Sequence, residues 1–180
     1  MRLFSAIGVT EAVARDLSLF RGGLPDTKWV EPADFHVTLA FFGEVDGRSA
    51  EELAAALDEI DASSFEVTLE GLGIFGADRP HAIVALARKT PALLALEAAH
   101  RGVMQRLGIG DQARKYTPHV TLGRLRRVTA GEVAGWVSQQ PAFPPLAWRA
   151  ERFALYSSRT SRGGGPYVEE VPFTLRKAAV

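Results

Sequence analysis

The chain contains no cysteine. That absence removes disulfide staples, thiol nucleophiles and every cysteine-based zinc or iron–sulfur centre. It also fits a reducing compartment, so a cytoplasmic location is expected. No apolar run reaches the length of roughly 18 residues that a spanning helix needs, so no membrane partner is expected. The opening stretch, Met1 to Gly8, has too short an apolar segment for a secretory signal and reads as a strand. With 4 histidines and no cysteine, neither a metal site nor a metal cofactor is expected. Net charge is also lacking: 21 Lys and Arg balance 21 Asp and Glu. The balance is uneven along the chain, however. Residues 1–100 hold 8 basic and 16 acidic side chains, whereas residues 101–180 hold 13 and 5. Such asymmetry points either to an anionic partner on the basic side or to two halves that attract each other.

What is present is an ordinary globular composition, 47% apolar and 23% charged over 180 residues, enough to bury a core. Arg2 to Ile7 reads as a strand. Thr10 opens a helix to about Phe20, which Gly22 and Gly23 stop. Phe35 to Phe42 is β-rich. Ser49 to Ile60 is helical, with Ser49 as cap and Glu52 completing a capping box. Phe65 to Leu72 and His81 to Ala87 read as strands, the first through clear alternation. Thr90 and Pro91 start a helix to about Leu107, broken by Gly108. Tyr116 to Leu125 is a strand and Thr129 to Gln139 a helix. Arg152 to Ser158 and Tyr167 to Leu175 are strands around a glycine-rich basic loop, Arg159 to Pro166. Several neighbouring strands look like hairpin partners, so the expected class is α+β, with antiparallel or mixed sheets and helices outside.

One tetrapeptide occurs twice. His36-Val37-Thr38-Leu39 recurs as His119-Val120-Thr121-Leu122, each copy in a β-rich run and each followed by a helix. A unit repeated once at this separation indicates a pseudo-symmetric duplicated fold rather than a solenoid. In a strand, side chains at i and i+2 share a face. His36 and Thr38 therefore lie on one face, with Val37 and Leu39 on the other, and the second copy does the same. The aliphatic pairs belong in the core, which leaves the His/Thr pairs to a cleft between the halves. Two imidazoles there can act as acid and base near neutrality. Two hydroxyls can hold a phosphoryl group between them. The set suits metal-free phosphodiester cleavage, and its symmetry leaves open which imidazole is acid and which is base.

The segments WVEPADFHVTLAFFG (29–43) and YTPHVTLGR (116–124) resemble the paired signature strands of the 2H phosphoesterases. They are most similar to the bacterial and archaeal RNA 2′,3′-cyclic phosphodiesterases, historically called 2′-5′ RNA ligases. The resemblance extends to the opening RLFSAI strand and to the closing FALYSSR and YVEEVPFTL segments. It implies one bilobal domain over residues 1–180, each lobe a mainly antiparallel sheet with helices outside, around a central groove. It implies hydrolysis of a 2′,3′-cyclic phosphate on an RNA end, or on a small cyclic nucleotide, to a 2′-phosphate. His36 would be the proton donor, His119 the proton acceptor, and Thr38 and Thr121 the phosphate holders. No cofactor is implied, and a monomer is expected. Rival readings are 2′-5′ joining or 2′-5′ oligonucleotide cleavage at the same site, a pyridine-nucleotide or ADP-ribose cyclic phosphate as substrate, and an RNA-end-binding module without turnover.

Other residues carry weaker signals. Arg124 stands where the RNA branch tends to carry a phosphate-contacting arginine. Strict parity turns an offset of five from His119 to the wrong face, and a bulge or strand end at Gly123 would restore it. Phe42 and Tyr116 are candidates for base stacking, Phe42 because it shares parity with His36. Trp29 reads as core, Arg126 and Arg127 as a solvated strand end, and His81 and His100 as structural or surface histidines. The loop Arg159 to Pro166 is either a plain connection or a flap over an anionic substrate.

Overall fold

The structure is a computed structural model of the chain, and it describes residues 1–111, 113–158 and 165–179. Among the described residues, nine strands form one antiparallel sheet: β1 (Arg2–Gly8), β2 (Thr27–Trp29), β3 (His36–Glu44), β4 (Phe65–Phe75), β5 (Ala82–Ala87), β6 (His119–Leu125), β7 (Leu146–Ala150), β8 (Arg152–Ser157) and β9 (Val168–Thr174). Four α-helices among the described residues cover it: α1 (Glu11–Leu17), α2 (Gly47–Asp58), α3 (Pro91–Leu107) and α4 (Ala130–Ser138). The expected α+β class is what the chain adopts. No helix among the described residues is long and apolar enough to cross a membrane.

The strand order is β7-β4-β5-β6-β3-β1-β8-β9, with β2 added to β6. The sheet falls into two halves, β9-β8-β1-β3 and β6-β5-β4-β7. Between the inner strands β3 and β6, the ladder among the described residues consists of one residue pair, Val37 with Val120. Each motif strand is the inner edge of its own half, so the two motifs meet along this seam. The halves also exchange strands. β4 follows the first motif in sequence yet pairs in the second half, while β8 follows the second motif and pairs with β1 in the first.

The aliphatic residues of both motifs are buried as the alternation requires: Val37, Val120 and Leu122 are fully buried and Leu39 nearly so. They join one continuous apolar cluster with Leu53 and Leu57 of α2, Leu93 and Leu96 of α3, and Val133 and Trp136 of α4. β1 is buried along its whole middle, as expected of a strand flanked by β3 and β8. Local signals at α3 hold. Thr90 Oγ1 accepts from Leu93 N at 3.3 Å, and Gly108 ends the helix in the left-handed region at φ 64°. The start of α2 differs from expectation. Asp46, not Ser49, caps it, its carboxylate accepting from Ser49 N at 2.8 Å. A charged acceptor three residues earlier outcompetes the serine hydroxyl and places Ser49 in the first turn. A reciprocal capping box does occur at α4, where Thr129 Oγ1 accepts from Glu132 N and Glu132 Oε2 accepts from Thr129 N.

Candidate active site

Continuing the Val37–Val120 register by one residue in each direction sets His36 opposite Thr121 and Thr38 opposite His119, all four on one face. They line a groove of about 770 Å³ over the seam, with Arg124, Phe41, Phe75, His81, Tyr116 and Tyr167 around them. Hence the two His/Thr pairs, 83 positions apart in sequence, share one space.

Each imidazole is held in the same way. His36 Nδ1 lies 2.7 Å from the Asp34 carbonyl oxygen, and His119 Nδ1 lies 2.7 Å from the Thr117 carbonyl oxygen. A carbonyl oxygen only accepts, so both Nδ1 atoms carry the proton and donate. Both Nε2 atoms are left as the free ring nitrogens, acceptors when the ring is neutral. Each ring also meets an aromatic edge-on: Tyr167 against His36 at 5.2 Å and Phe75 against His119 at 4.7 Å between centroids. Phe4 adds a tilted contact to His36 at 5.0 Å. Packing and hydrogen bonding together fix the ring orientations.

The apolar surroundings also set the proton affinities. Burial pushes His36 down to about 4, opposed by the hydrogen bond to the Asp34 carbonyl and assisted by the nearby positive charges of His119 and Arg124. His119 is lowered as well, again chiefly by burial, against the Thr117 carbonyl bond and with Arg114 and Arg124 adding repulsion. Arg124 thus acts on both imidazoles, as expected of groups around one cavity.

Arg124 does face the groove, and a bulge in β6 is the reason. Val84 pairs with Thr121 but Ile83 pairs with Gly123, so Leu122 is an extra residue and parity reverses beyond it. The Arg124 Nε is buried and has no hydrogen-bond partner among the described residues. The same device overturns the expectation for Phe42. In β3, Ala6 pairs with Thr38 but Ser5 pairs with Ala40, so Leu39 is the extra residue. Phe42 is thereby turned into the core at 3% exposure, and Phe41 takes the groove face at 53%. Phe42 is therefore no stacking platform. The sequence carries both aromatics side by side, and only the register decides between them.

Tyr116 lines the groove and also braces it. Its hydroxyl donates to the Thr38 carbonyl oxygen at 3.0 Å, linking the approach to one motif with the strand of the other. Burial, with Glu97 nearby, raises its proton affinity, which keeps the hydroxyl a donor. His81, read from sequence as structural or surface, is an exposed residue on the groove rim. His100 is a fully buried helix residue, as expected. Trp29 packs on Trp136 at 5.8 Å, on the side away from the groove face. Arg159 to Gly164 of the basic loop lie outside the described residues. Its end is seated beside the first motif, where Tyr167 N donates to Asp34 Oδ1 at 3.3 Å. Among the described residues, no three His, Asp or Glu side chains converge as metal ligands.

A family profile described as LigT like Phosphoesterase matches residues 7–84 and again 86–167, once for each motif-bearing segment. The chain belongs to this family. Among its relatives is the RNA 2′,3′-cyclic phosphodiesterase of Thermotoga maritima, 30% identical over 177 residues, covering 93% of this chain and 91% of that protein. The Bacillus subtilis protein of the same name is 28% identical, over 80% of this chain and 78% of its own length. A solved structure from Thermus thermophilus superposes with TM-score 0.81 at 27% identity, over 99% of this chain and 100% of that one. Escherichia coli LigT complexed with 3′-AMP gives TM-score 0.76 at 24% identity over 97% of both chains and shares the fold. In this LigT-like phosphoesterase the two matched segments each supply one motif strand, β3 and β6, and the sheet joins these two strands at the seam.

Proposed function

We propose that this phosphoesterase hydrolyses 2′,3′-cyclic phosphate ends of RNA to 2′-phosphates, with two histidines as acid and base and without a metal ion. The observation that carries the reading is the pair of His/Thr sets on one groove face, each imidazole presenting Nε2 through the same carbonyl anchor. The names of the curated relatives support the substrate class. In the proposed step, water attacks phosphorus and His119 Nε2 takes its proton. The bond from phosphorus to O3′ breaks, and His36 Nε2–H gives its proton to the departing O3′. The product carries a 2′-phosphate and a free 3′-hydroxyl. Thr38, Thr121 and Arg124 bind the non-bridging oxygens, where charge builds as water adds.

In the free protein both imidazoles are neutral at pH 7, because burial lowers both. The cyclic phosphate is an anion, and its arrival between them raises both affinities, so the donor takes up its proton as substrate binds. Arg124 contributes a guanidinium whose planar fork suits phosphate oxygens.

The deciding experiment incubates the protein with an RNA bearing a 2′,3′-cyclic phosphate end, with chelator present. The expected product is a 2′-phosphate end, identified by chromatography against both monophosphate standards. A 3′-phosphate product would overturn the assigned roles. Joining to a 5′-hydroxyl RNA without hydrolysis would make the enzyme a ligase. Tight binding without turnover would make it an RNA-end-binding module.

A further inference from the structure

The two imidazoles share one kind of carbonyl anchor, but the aromatic that covers each ring is held differently. Phe75, edge-on to His119, lies within β4 and pairs with Ala82 of β5, so a strand ladder fixes its place. Tyr167, edge-on to His36 at 5.2 Å, precedes β9, and the ladder between β8 and β9 ends at the pair Ser157 with Val168. The sheet therefore leaves the position of Tyr167 to other contacts. Its ring packs edge-on against Phe4 at 5.0 Å. Its main chain is tied to the first motif, where Asp34 Oδ1 accepts from Tyr167 N at 3.3 Å.

Asp34 thus reaches His36 by two routes. Its carbonyl oxygen accepts from His36 Nδ1, and its carboxylate draws in the segment that carries the covering ring. Both routes start from a braced residue, because Asp34 closes a short 3-10 turn in which its N donates to the Glu31 carbonyl oxygen at 2.8 Å. Gly165 packs against the same carboxylate. Its φ is 73°, and an added Cβ would overlap Asp34 Oδ2 and lie 2.8 Å from Cγ, an approach that suits only glycine. The carboxylate does not act on the imidazole as a charge. The charged groups that influence His36 are His119 and Arg124, and the other titratable rings around it are Tyr156 and Tyr167.

We infer that Asp34 is a positioning residue for the reaction: its side chain clamps the Tyr167 segment against His36 and so fixes the direction in which His36 Nε2 points. This rests on the proposed function and gives it a means of aiming one of its two imidazoles. The clamp works by accepting a hydrogen bond, so an uncharged acceptor of the same shape serves equally well. An imidazole held at Nδ1 alone still swings about that bond, and a contact against its edge removes the freedom. The weight of such a device is large, because a misplacement of about 1 Å at a reacting group costs about 100-fold in rate.

The test makes Asp34→Ala, Asp34→Asn and Gly165→Ala in the full chain and first follows hydrolysis of an RNA 2′,3′-cyclic phosphate end. Asp34→Ala should lower kcat by about 10- to 100-fold with a smaller change in KM. Asp34→Asn should recover most of the rate, since its amide oxygen accepts the same N–H. Gly165→Ala should also lower kcat, yet cost little further in an Asp34→Ala background, where the added methyl has room. A loss in Asp34→Asn as large as in Asp34→Ala, or a raised KM with kcat kept, would overturn the clamp. The second readout needs no turnover: the ring NMR signals of His36 in the free protein during acid titration. Burial holds that ring near 4, so uncovering it should move its titration up toward 6.5 in Asp34→Ala and leave it low in Asp34→Asn. A His36 titration that stays in place or falls in Asp34→Ala sinks the clamp, even where turnover is lost. If wild type does not hydrolyse the RNA end while Asp34→Ala still raises His36, the catalytic reading fails and the clamp stands.

Discussion

Phe41 and Arg124 occupy the same place in two copies of one strand. Each lies five residues beyond a motif histidine, and each is turned onto the groove face by one extra residue, Leu39 in β3 and Leu122 in β6. The burial sequence along the two strands is the same from the histidine to the seventh residue, apart from the greater exposure of Phe41. The duplicated geometry therefore presents one position twice and fills it with two chemistries, a guanidinium on one side and a phenyl ring on the other. A symmetric scaffold thus gives an asymmetric groove.

Arg124 should behave as a phosphate ligand whose value is greatest when charge builds on the non-bridging oxygens. Arg124→Ala is expected to lower kcat by about 100- to 1,000-fold, the cost of removing one such donor. Arg124→Lys should restore little, because an ammonium cannot match the planar fork. Steady-state kinetics on a cyclic-phosphate substrate checks this. A variant that raises KM alone would mean uniform binding and no part in the reaction barrier.

His36→Ala and His119→Ala should each reduce kcat by at least about 100-fold, the usual weight of one positioned acid or base. The double variant should be little worse than either single one, since the two groups serve one proton relay. Both rings sit on the groove face, away from the apolar cluster, so thermal melting should stay close to wild type. EDTA should leave wild-type turnover intact. Loss of activity in chelator, recovered by added metal, would replace the two-imidazole scheme with a metal-assisted one.

The pH profile follows from the directions of the two shifts. In the free protein His36 lies near 4 and His119 also below the ordinary 6.5. The profile of kcat/KM reports the free enzyme, so its bell should sit on the acid side of 6.5. The profile of kcat reports the bound complex. There the phosphate anion raises both imidazoles, and the bell should move toward neutral pH. Two coincident profiles would show that the substrate charge does not reach the histidines. The limbs belong to the coupled pair rather than to either ring alone.

The groove face of the two motifs was legible in the sequence because it depends only on period-two alternation within a single strand. His36, Thr38, His119 and Thr121 follow from that rule without knowledge of any partner strand. The caps of α3 were legible for the same reason, since Thr90 and Gly108 act within a few residues of themselves. What escaped depends on partners distant in sequence. The extra residues Leu39 and Leu122 are defined by the registers with β1 and β5, so parity alone sends Phe42 toward the groove and Arg124 away from it. β7 escaped too: LAWRA follows the Pro-rich stretch Pro141 to Pro145 and becomes a strand only through pairing with β4. The cap at Asp46 is masked in the sequence by a good capping serine three residues later.

His100 should make the fold acid-sensitive. The ring is fully buried, donates from Nδ1 to the Leu96 carbonyl oxygen at 2.8 Å, packs edge-on against Phe153 at 4.7 Å and leaves Nε2 unpartnered. Burial pushes it down from 6.5 to about 4, with the Leu96 bond opposing. The folded form therefore binds the proton less well than the unfolded chain. Its contribution to stability is present above about 6.5 and is lost as pH falls toward 4, a change on the order of 3 kcal/mol. Urea titrations at about pH 7 and about pH 4.5 should show a smaller loss for His100→Leu than for wild type. Equal losses in both proteins would place the acid sensitivity elsewhere.

Gly123→Ala tests whether the β6 bulge sets the position of Arg124. An added Cβ would lie 2.9 Å from both Thr27 Cγ2 and Trp29 Cε3, so β2 must move away from β6. Overpacking of this kind costs about 1–3 kcal/mol. The displaced residues are the immediate neighbours of Arg124, whose own register partners are Lys28 and Ala82. The variant should therefore melt earlier and also lose turnover, with the same kcat-dominated signature as Arg124→Ala but smaller in size. The double variant Gly123→Ala with Arg124→Ala separates the two effects. Its stability should match Gly123→Ala, while its turnover should fall no further than Arg124→Ala alone. Additive turnover losses would mean that Gly123 supports catalysis by some route other than aiming Arg124 into the groove.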